Sequence, residues 1–270
     1  MKENNLFSDK QFGFISGRST MLQLLKVLDI WTEILDQGGT IDSIYCDFMK
    51  AFDKVPHKRL IYKIERYGIK GNILGWIEDF LSNRIQEIVI NENKSKPANV
   101  TSGIPQGSVL GPILFVIYIN DLPEVVHKDT FIYLFADDTK AFRHIKDQQD
   151  QIQLQKDIDN MVKWSNTWLL KFHPEKCIMM NIGSRTDPTF DYKMEAHTLN
   201  YSTCEKDLGV FIDNKLNFDK HISSAINKAN RIMAIVRKTF DNMDKEIFLS
   251  IYKGLIRPHL EYANSVWSPI

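Results

Sequence analysis

Apolar positions along this chain alternate between two rhythms. From Met21 to Leu35, the residues Leu24, Leu25, Leu28, Trp31 and Leu35 recur at helical spacing, and Gln37-Gly38-Gly39 closes the segment. Ile41 to Phe48 is short, starts on a β-branched residue and runs into Asp47, which predicts a buried strand. Lys58 to Tyr67 and Asn72 to Leu81 return to helical spacing, the second with Ile73, Trp76, Ile77 and Phe80 on one face. Gln86 to Asn91 and Ala98 to Ser102 flank a polar turn, Glu92 to Pro97, as two hairpin arms would. Val109 to Ile119 is apolar all round and too short to span a bilayer, so it reads as a buried helix.

The sharpest break in pattern follows. Phe131-Ile132-Tyr133-Leu134 and Thr139-Lys140-Ala141-Phe142 enclose the carboxylate pair Asp137-Asp138, which predicts a tight hairpin with both acids at its tip. Asp147 to Leu170 then reads as a long helix with Ile152, Ile158, Met161, Val162 and Trp168 as its buried stripe. Lys176 to Ile182 and Asp207 to Asp213 are strand candidates, and His221–Phe240 and Lys245–Tyr262 are two closing helices.

Composition narrows the class without choosing a function. Apolar residues make up 43% and charged residues 25%, ordinary for a globular chain that buries a large core. The formal net charge is zero, which supplies no global attraction to polyanions. Charge is uneven, however: from Lys215 onward nine Lys/Arg stand against five Asp/Glu. Cys46, Cys177 and Cys204 are widely spaced and odd in number, so neither a disulfide framework nor a zinc knuckle is indicated, and a reducing compartment is expected. The opening Met1-Lys2-Glu3-Asn4-Asn5 has no apolar core of a signal peptide.

Two acid groups carry the candidate chemistry. Taken alone, Asp137-Asp138 is a solvated turn and Asp47 a helix cap. Taken together, a strand-end carboxylate and a hairpin-tip pair are what a two-metal phosphoryl-transfer site requires, with ions ~3.5–4 Å apart steadying the attacking and leaving oxygens.

Several runs also match a known family in order and spacing. They are Gln11-Phe12-Gly13-Phe14 with Gly17-Arg18-Ser19-Thr20, then Asp47 to His57, Ser102 to Pro112, and Phe135-Ala136-Asp137-Asp138. Asn120-Asp121-Leu122, Lys176-Cys177, Asp207-Leu208-Gly209-Val210 and Arg257 to Ala263 extend the match over nearly the whole chain. The sequence resembles the reverse transcriptases of non-LTR retrotransposons of the jockey and CR1 kind.

That resemblance implies an α+β, right-hand polymerase palm, an antiparallel sheet with helices. It divides the chain into partial fingers over 1–40, a palm over 41–214 and a helical, incomplete thumb over 215–270. It implies an RNA-directed DNA polymerase that extends a DNA primer on an RNA template with dNTPs and two Mg²⁺ ions, with Mn²⁺ as a substitute. Asp47, Asp137 and Asp138 would hold metal, helped by the backbone carbonyl of Phe48. Phe52 aligns with a steric gate under the incoming sugar, where a flat ring leaves no room for a 2′-OH. Gln106 and Gly107 align with a loop touching template and nucleotide. Lys176 aligns with a proton donor to pyrophosphate, or stands as a solvated strand-edge lysine. Arg18 either pairs with a phosphate or is a helix-end surface charge. Asp53 is expected to cap or brace the strand-to-helix turn.

Departures are visible. Ile15 stands where the family often has a basic residue, and His173-Pro174-Glu175 replaces a run that commonly contains Asn. Only ten residues precede Gln11, and the chain stops abruptly at Trp267-Ser268-Pro269-Ile270, so a truncated piece is expected. The alternative reading is therefore a catalytically silent retroelement remnant that binds nucleic acid at most. Either way the expected location is intracellular, in nucleus or cytoplasm, with no membrane partner. The oligomeric state is not indicated.

Overall fold

The strand expected at Ile41 forms over Ile41–Cys46 (β1) and occupies the middle of a five-stranded sheet. This computed structural model describes residues 6–183, 190–240 and 242–268; the readings made on Met1–Asn5 and on the final Pro269-Ile270 lie outside the described residues. Beside β1 runs the hairpin Phe131–Phe135 (β2) and Asp138–His144 (β3), and on its other side Ile178–Ile182 (β4) and Asn200–Tyr201 (β5). The order is β5-β4-β1-β3-β2, antiparallel except for the parallel β5–β4 edge.

Period-two alternation gives the sheet two buried faces. Ile44, Ile132, Leu134, Ala141 and Met179 pack on one side against helices His57–Arg66, Asn72–Leu81, Leu110–Ile119 and Gln148–Trp168. Ile41, Tyr133, Phe142, Met180 and Ile182 pack on the other against Thr20–Asp36 (α1). There Trp31 of α1 meets Phe142 edge-on at 5.5 Å. Ser19 caps α1 by accepting the Leu22 N–H at 3.2 Å. The expected α+β architecture is the observed one, and no described helix is long and apolar enough to cross a membrane.

Four local expectations are corrected. The polar turn placed at Glu92–Pro97 is instead a two-residue turn at Asn91 (φ 46) and Glu92 (φ 70), so Val89–Ile90 pairs with Asn93–Lys94. Asp207–Asp213 is not one strand but a hairpin, Cys204–Asp207 (β6) and Val210–Asp213 (β7), because Leu208 and Gly209 both take positive φ. On Gln148–Trp168 the buried line runs through Leu154, Ile158, Met161 and Trp164, with Ile152, Val162 and Trp168 at its flank. The buried face also includes the polar Asp157, which accepts from the His127 N–H and Thr130 Oγ1, and an apolar count overlooks it. The helix expected over Lys245–Tyr262 is interrupted by a π turn at Tyr252–Ile256, where Pro258 has no N–H to continue the ladder.

Candidate active site

Register brings the carboxylates together. Cys46 is paired with Thr139 across β1 and β3, so Asp47 emerges beside Asp138. Phe135 pairs with Asp138 across β2 and β3, which leaves Ala136 and Asp137 as the two-residue turn. Asp137 is therefore the tip, and Asp138 is the first residue of β3 rather than a tip residue. Ala136 is held at φ 55, in the left-handed region that disfavours any residue with a Cβ.

Like charges crowd this end of the sheet. Burial raises the Asp137 carboxyl above the ordinary carboxylate range, with Asp47 adding to it. Asp138 is pushed up to about 6 by the protein around it and then by Asp137, Asp207 and Asp47, while Lys140 pulls the other way. Its carboxylate remains open to solvent, so the crowding of charge is the part that a bound cation would relieve. Lys176 stands 3.5 Å from Asp47 Oδ2 with both side chains largely accessible. The Asp47 N–H points at Cys177 Sγ at 3.5 Å, and its carbonyl accepts from the His173 N–H at 2.8 Å. All three cysteines are free thiols.

A metal is tested here by donor chemistry. Asp47, Asp137 and Asp138 offer hard carboxylate oxygens at one end of the sheet. Phe48 bridges to Phe172 through hydrogen bonds made by the neighbouring Met49 N–H and Asp47 carbonyl, which leaves the Phe48 carbonyl unused in that pairing. Among the described residues no three Asp, Glu, His or Cys side chains enclose an ion on their own. Magnesium takes one or two carboxylates and completes its shell from substrate phosphates and water, so these carboxylates are donors of the kind that it uses. The residues fit the group.

The remaining expected residues divide. Phe52 is half-buried and its ring stacks on Phe115 at 4.3 Å and 19°, which fixes its plane. Gln106 is exposed, and its Nε2 donates to Asp53 Oδ1 at 3.0 Å. Ser102 Oγ donates to the Asp53 carbonyl at 3.1 Å, and His57 Nε2 lies 2.8 Å from the Gly103 carbonyl. Asp53 and His57 thus brace the Ser102–Gly107 loop, of which Gly107 takes φ 80. Arg18 is not brought to the carboxylates. Its Nη1 donates to the carbonyls of Ser8 (2.6 Å) and Gln11, so its charge holds the first loop in place.

Sequence reasoning missed the groups behind these residues. Gln11 is fully buried against the Ala136-Asp137 turn, and Lys140 forms a buried ion pair with Asp207. A lysine just before the apolar pair Ala141-Phe142 and two residues after an acid pair was the available signal for the second.

A strand-end carboxylate beside a carboxylate-bearing hairpin, on an antiparallel sheet backed by helices, defines the palm of a nucleic-acid polymerase. The family model described as reverse transcriptase (RNA-dependent DNA polymerase) matches residues 1–239, and the chain belongs to that family. It is 28% identical over 268 residues to the RNA-directed DNA polymerase from mobile element jockey of Drosophila melanogaster, covering 95% of this chain and 29% of that protein. The jockey polymerase of Drosophila funebris is 30% identical over 278 residues, with 95% and 29% covered. The chain thus spans about three tenths of the length of these curated relatives. Among solved structures, apo telomerase from Candida tropicalis superposes with a TM-score of 0.53 at 12% identity, over 76% of this chain and 36% of that one. Candida albicans telomerase, solved with a fragment of telomeric RNA, gives 0.52 at 11%, over 93% and 43%. At such identities these two establish the shared fold.

Proposed function

We propose that this chain is the polymerase centre of a non-LTR reverse transcriptase, adding dNTPs to a primer 3′-OH along an RNA template. The observation that carries the reading is the convergence of Asp47 with Asp137 and Asp138 at one end of the sheet, inside a chain of this family. Two magnesium ions, or manganese in their place, would activate the attacking hydroxyl and steady the departing pyrophosphate. Asp47, Asp137, Asp138 and the Phe48 carbonyl are the groups that would hold them. Phe52 supports the sugar of the incoming nucleotide, and Gln106 and Gly107 border the nascent base pair. Lys176, next to Asp47, is placed to give a proton to pyrophosphate.

On this reading residues 1–40 belong to the fingers, 41–214 to the palm and 215–270 to a thumb-like region. The work is done inside the cell, in the nucleus or the cytoplasm. A catalytically silent remnant is the competing reading, and the intact acid set at one end of the sheet does not favour it.

Primer extension on poly(rA)/oligo(dT) with and without Mg²⁺ tests the proposal. Each carboxylate supports several kcal/mol of transition-state charge stabilisation through its metal, so Asp137→Asn should slow extension about a hundredfold or more. A rate within a few-fold of the parent chain would overturn the mechanism.

A further inference from the structure

In a chain that is neutral as a whole, positive charge is gathered on one face. Lys50 to Lys70 carries seven Lys/Arg against two Asp/Glu, and Asn160 to Phe172 carries two against none. Both stretches belong to the core on the sheet face opposite α1, and they touch. Arg59 Nη1 donates to the Thr167 carbonyl, and the Tyr62 ring lies 6.4 Å from the Trp168 ring. The Met49 N–H donates to the Lys171 carbonyl at 2.8 Å, which joins the patch to the carboxylate end of the sheet. A helix face that only meets solvent commonly mixes both signs. Here, among the described residues, none of Lys58, Arg59, Arg66 and Lys171 pairs with a carboxylate.

An aromatic platform stands in the middle of this charge. Arg59, Tyr62 and Arg66 recur at steps of three and four along His57–Arg66 and so share one stripe. Tyr62 is 49% exposed, with the Arg66 guanidinium 5.2 Å from its ring. Behind it, Trp168 meets Tyr118 edge-on at 6.1 Å, and the buried Lys63 ammonium lies 3.8 Å from the Trp168 ring. Asp121 Oδ1 and the Tyr118 carbonyl each hold that ammonium at 2.5 Å. Asp121, from the motif Asn120-Asp121-Leu122, thus fixes the bed on which Tyr62 rests. An exposed ring among Lys and Arg is what unpaired bases stack on while their phosphates meet the cations. Duplex bases, already stacked on one another, gain nothing from it.

Given the polymerase reading, on which this step rests, the chain handles an RNA longer than the stretch being copied. We infer that Lys58, Arg59, Tyr62, Arg66 and Lys171 form a second nucleic-acid surface, which holds unpaired RNA by base stacking and phosphate contacts. None of the five lines the cavity beside Asp47 and Asp138 or the groove along Ser102–Gln106, so this surface is separate from the catalytic cleft.

Two labelled probes separate cleft from surface: a blunt oligo(dT)/oligo(rA) hybrid, and the same hybrid with an unpaired rC extension of about 15 nucleotides on its RNA strand. The full chain should bind the extended hybrid about tenfold or more tightly than the blunt one. In the triple variant Lys58→Gln, Arg66→Gln, Lys171→Gln, the slope of log affinity against log salt for the extended hybrid should fall by about two. Tyr62→Ala should lose about fivefold or more of the gain and keep the salt slope. Both should bind the blunt hybrid within twofold of the parent chain and melt within a few degrees of it. The control Lys146→Gln, Lys156→Gln, Lys193→Gln makes the same charge change at exposed sites elsewhere and should keep the whole gain. No gain from the extension would overturn the RNA surface in favour of an acidic protein segment. A larger gain from a dC extension, or equal losses on blunt and extended hybrids, would overturn it as well. If the parent chain fails to extend a primer, the polymerase reading falls by itself, and the gain from the rC extension with its dependence on Tyr62 still decides whether the surface exists.

Discussion

Gln11 Oε1 accepts the Ala136 N–H at 2.9 Å and so pins the left-handed residue that aims Asp137. The same oxygen accepts the Gly13 N–H at 2.7 Å. Backbone bonds from Phe12 N–H to the Leu134 carbonyl (2.7 Å) and from Leu134 N–H to the Lys10 carbonyl (2.9 Å) bring the amide there. In Gln11→Leu both N–H groups lose their buried acceptor, at about 1–3 kcal/mol each. Thermal unfolding should show a loss of roughly 2–6 kcal/mol, and extension should slow further than the folded fraction accounts for. Wild-type rates in a folded Gln11→Leu chain would remove the brace.

Gly13 tests the same contact from the steric side. A Cβ at this position would lie 2.3 Å from the Ala136 N, which is backbone and cannot swing away. Gly13→Ala should therefore push the turn off its position and lower kcat about tenfold or more, because positioning errors of about 1 Å can cost a hundredfold. Its dNTP KM should change far less. A kcat within twofold of the parent chain would show that the turn tolerates displacement.

How much of this was legible follows from where the information resides. The hairpin around Asp137-Asp138 and the strand leading to Asp47 were visible because short apolar runs stop abruptly at acids. Their convergence was not, since the register of Cys46 with Thr139 is a property of the folded sheet. The resemblance supplied Phe52 and Gln106, but only the structure shows Phe115 under the one and Asp53 holding the other. Asp207 to Asp213 read as one strand because Val210, Phe211 and Ile212 are strand-formers; the reversal depends on an unfavourable φ at Leu208 imposed by tertiary contacts. Arg18 sat inside a matched motif, yet its Nη1 donates to the carbonyls of Ser8 and Gln11. A motif records that a residue is used, not for what.

Phe52 offers a test of sugar selection. Its ring stacks on Phe115, so the side chain cannot yield to an additional hydroxyl without breaking that stack. Phe52→Val removes the ring and should lower dNTP-over-rNTP discrimination in kcat/KM about tenfold or more, on the scale of a pocket that gains room. Phe115→Leu, which loosens the support and leaves the ring, should produce a smaller change in the same direction. Competition between dTTP and UTP on poly(rA)/oligo(dT) reads both. An unchanged ratio in Phe52→Val would take Phe52 out of the gate.

The acid crowding makes a pH-dependent prediction whose sign can be worked out. Asp138 rises from an ordinary 3.8 to about 6 in the folded chain, and Asp137 moves the same way. Between these values the folded state keeps a proton that the unfolded chain has released, so ionisation disfavours folding. Without divalent cations, stability should fall as pH rises from about 4 to about 6 and then level off at this site. A divalent cation binds the ionised form, so its stabilising effect should be small below about pH 5 and full above about pH 6.5. Melting temperatures from pH 4 to 8, with and without Mg²⁺, measure both limbs. Asp138→Asn should flatten the cation-free limb and weaken the Mg²⁺ effect at pH 7.5. Equal Mg²⁺ stabilisation at pH 4.5 and 7.5, or an unaltered slope in Asp138→Asn, would show that Asp138 does not carry the site's charge.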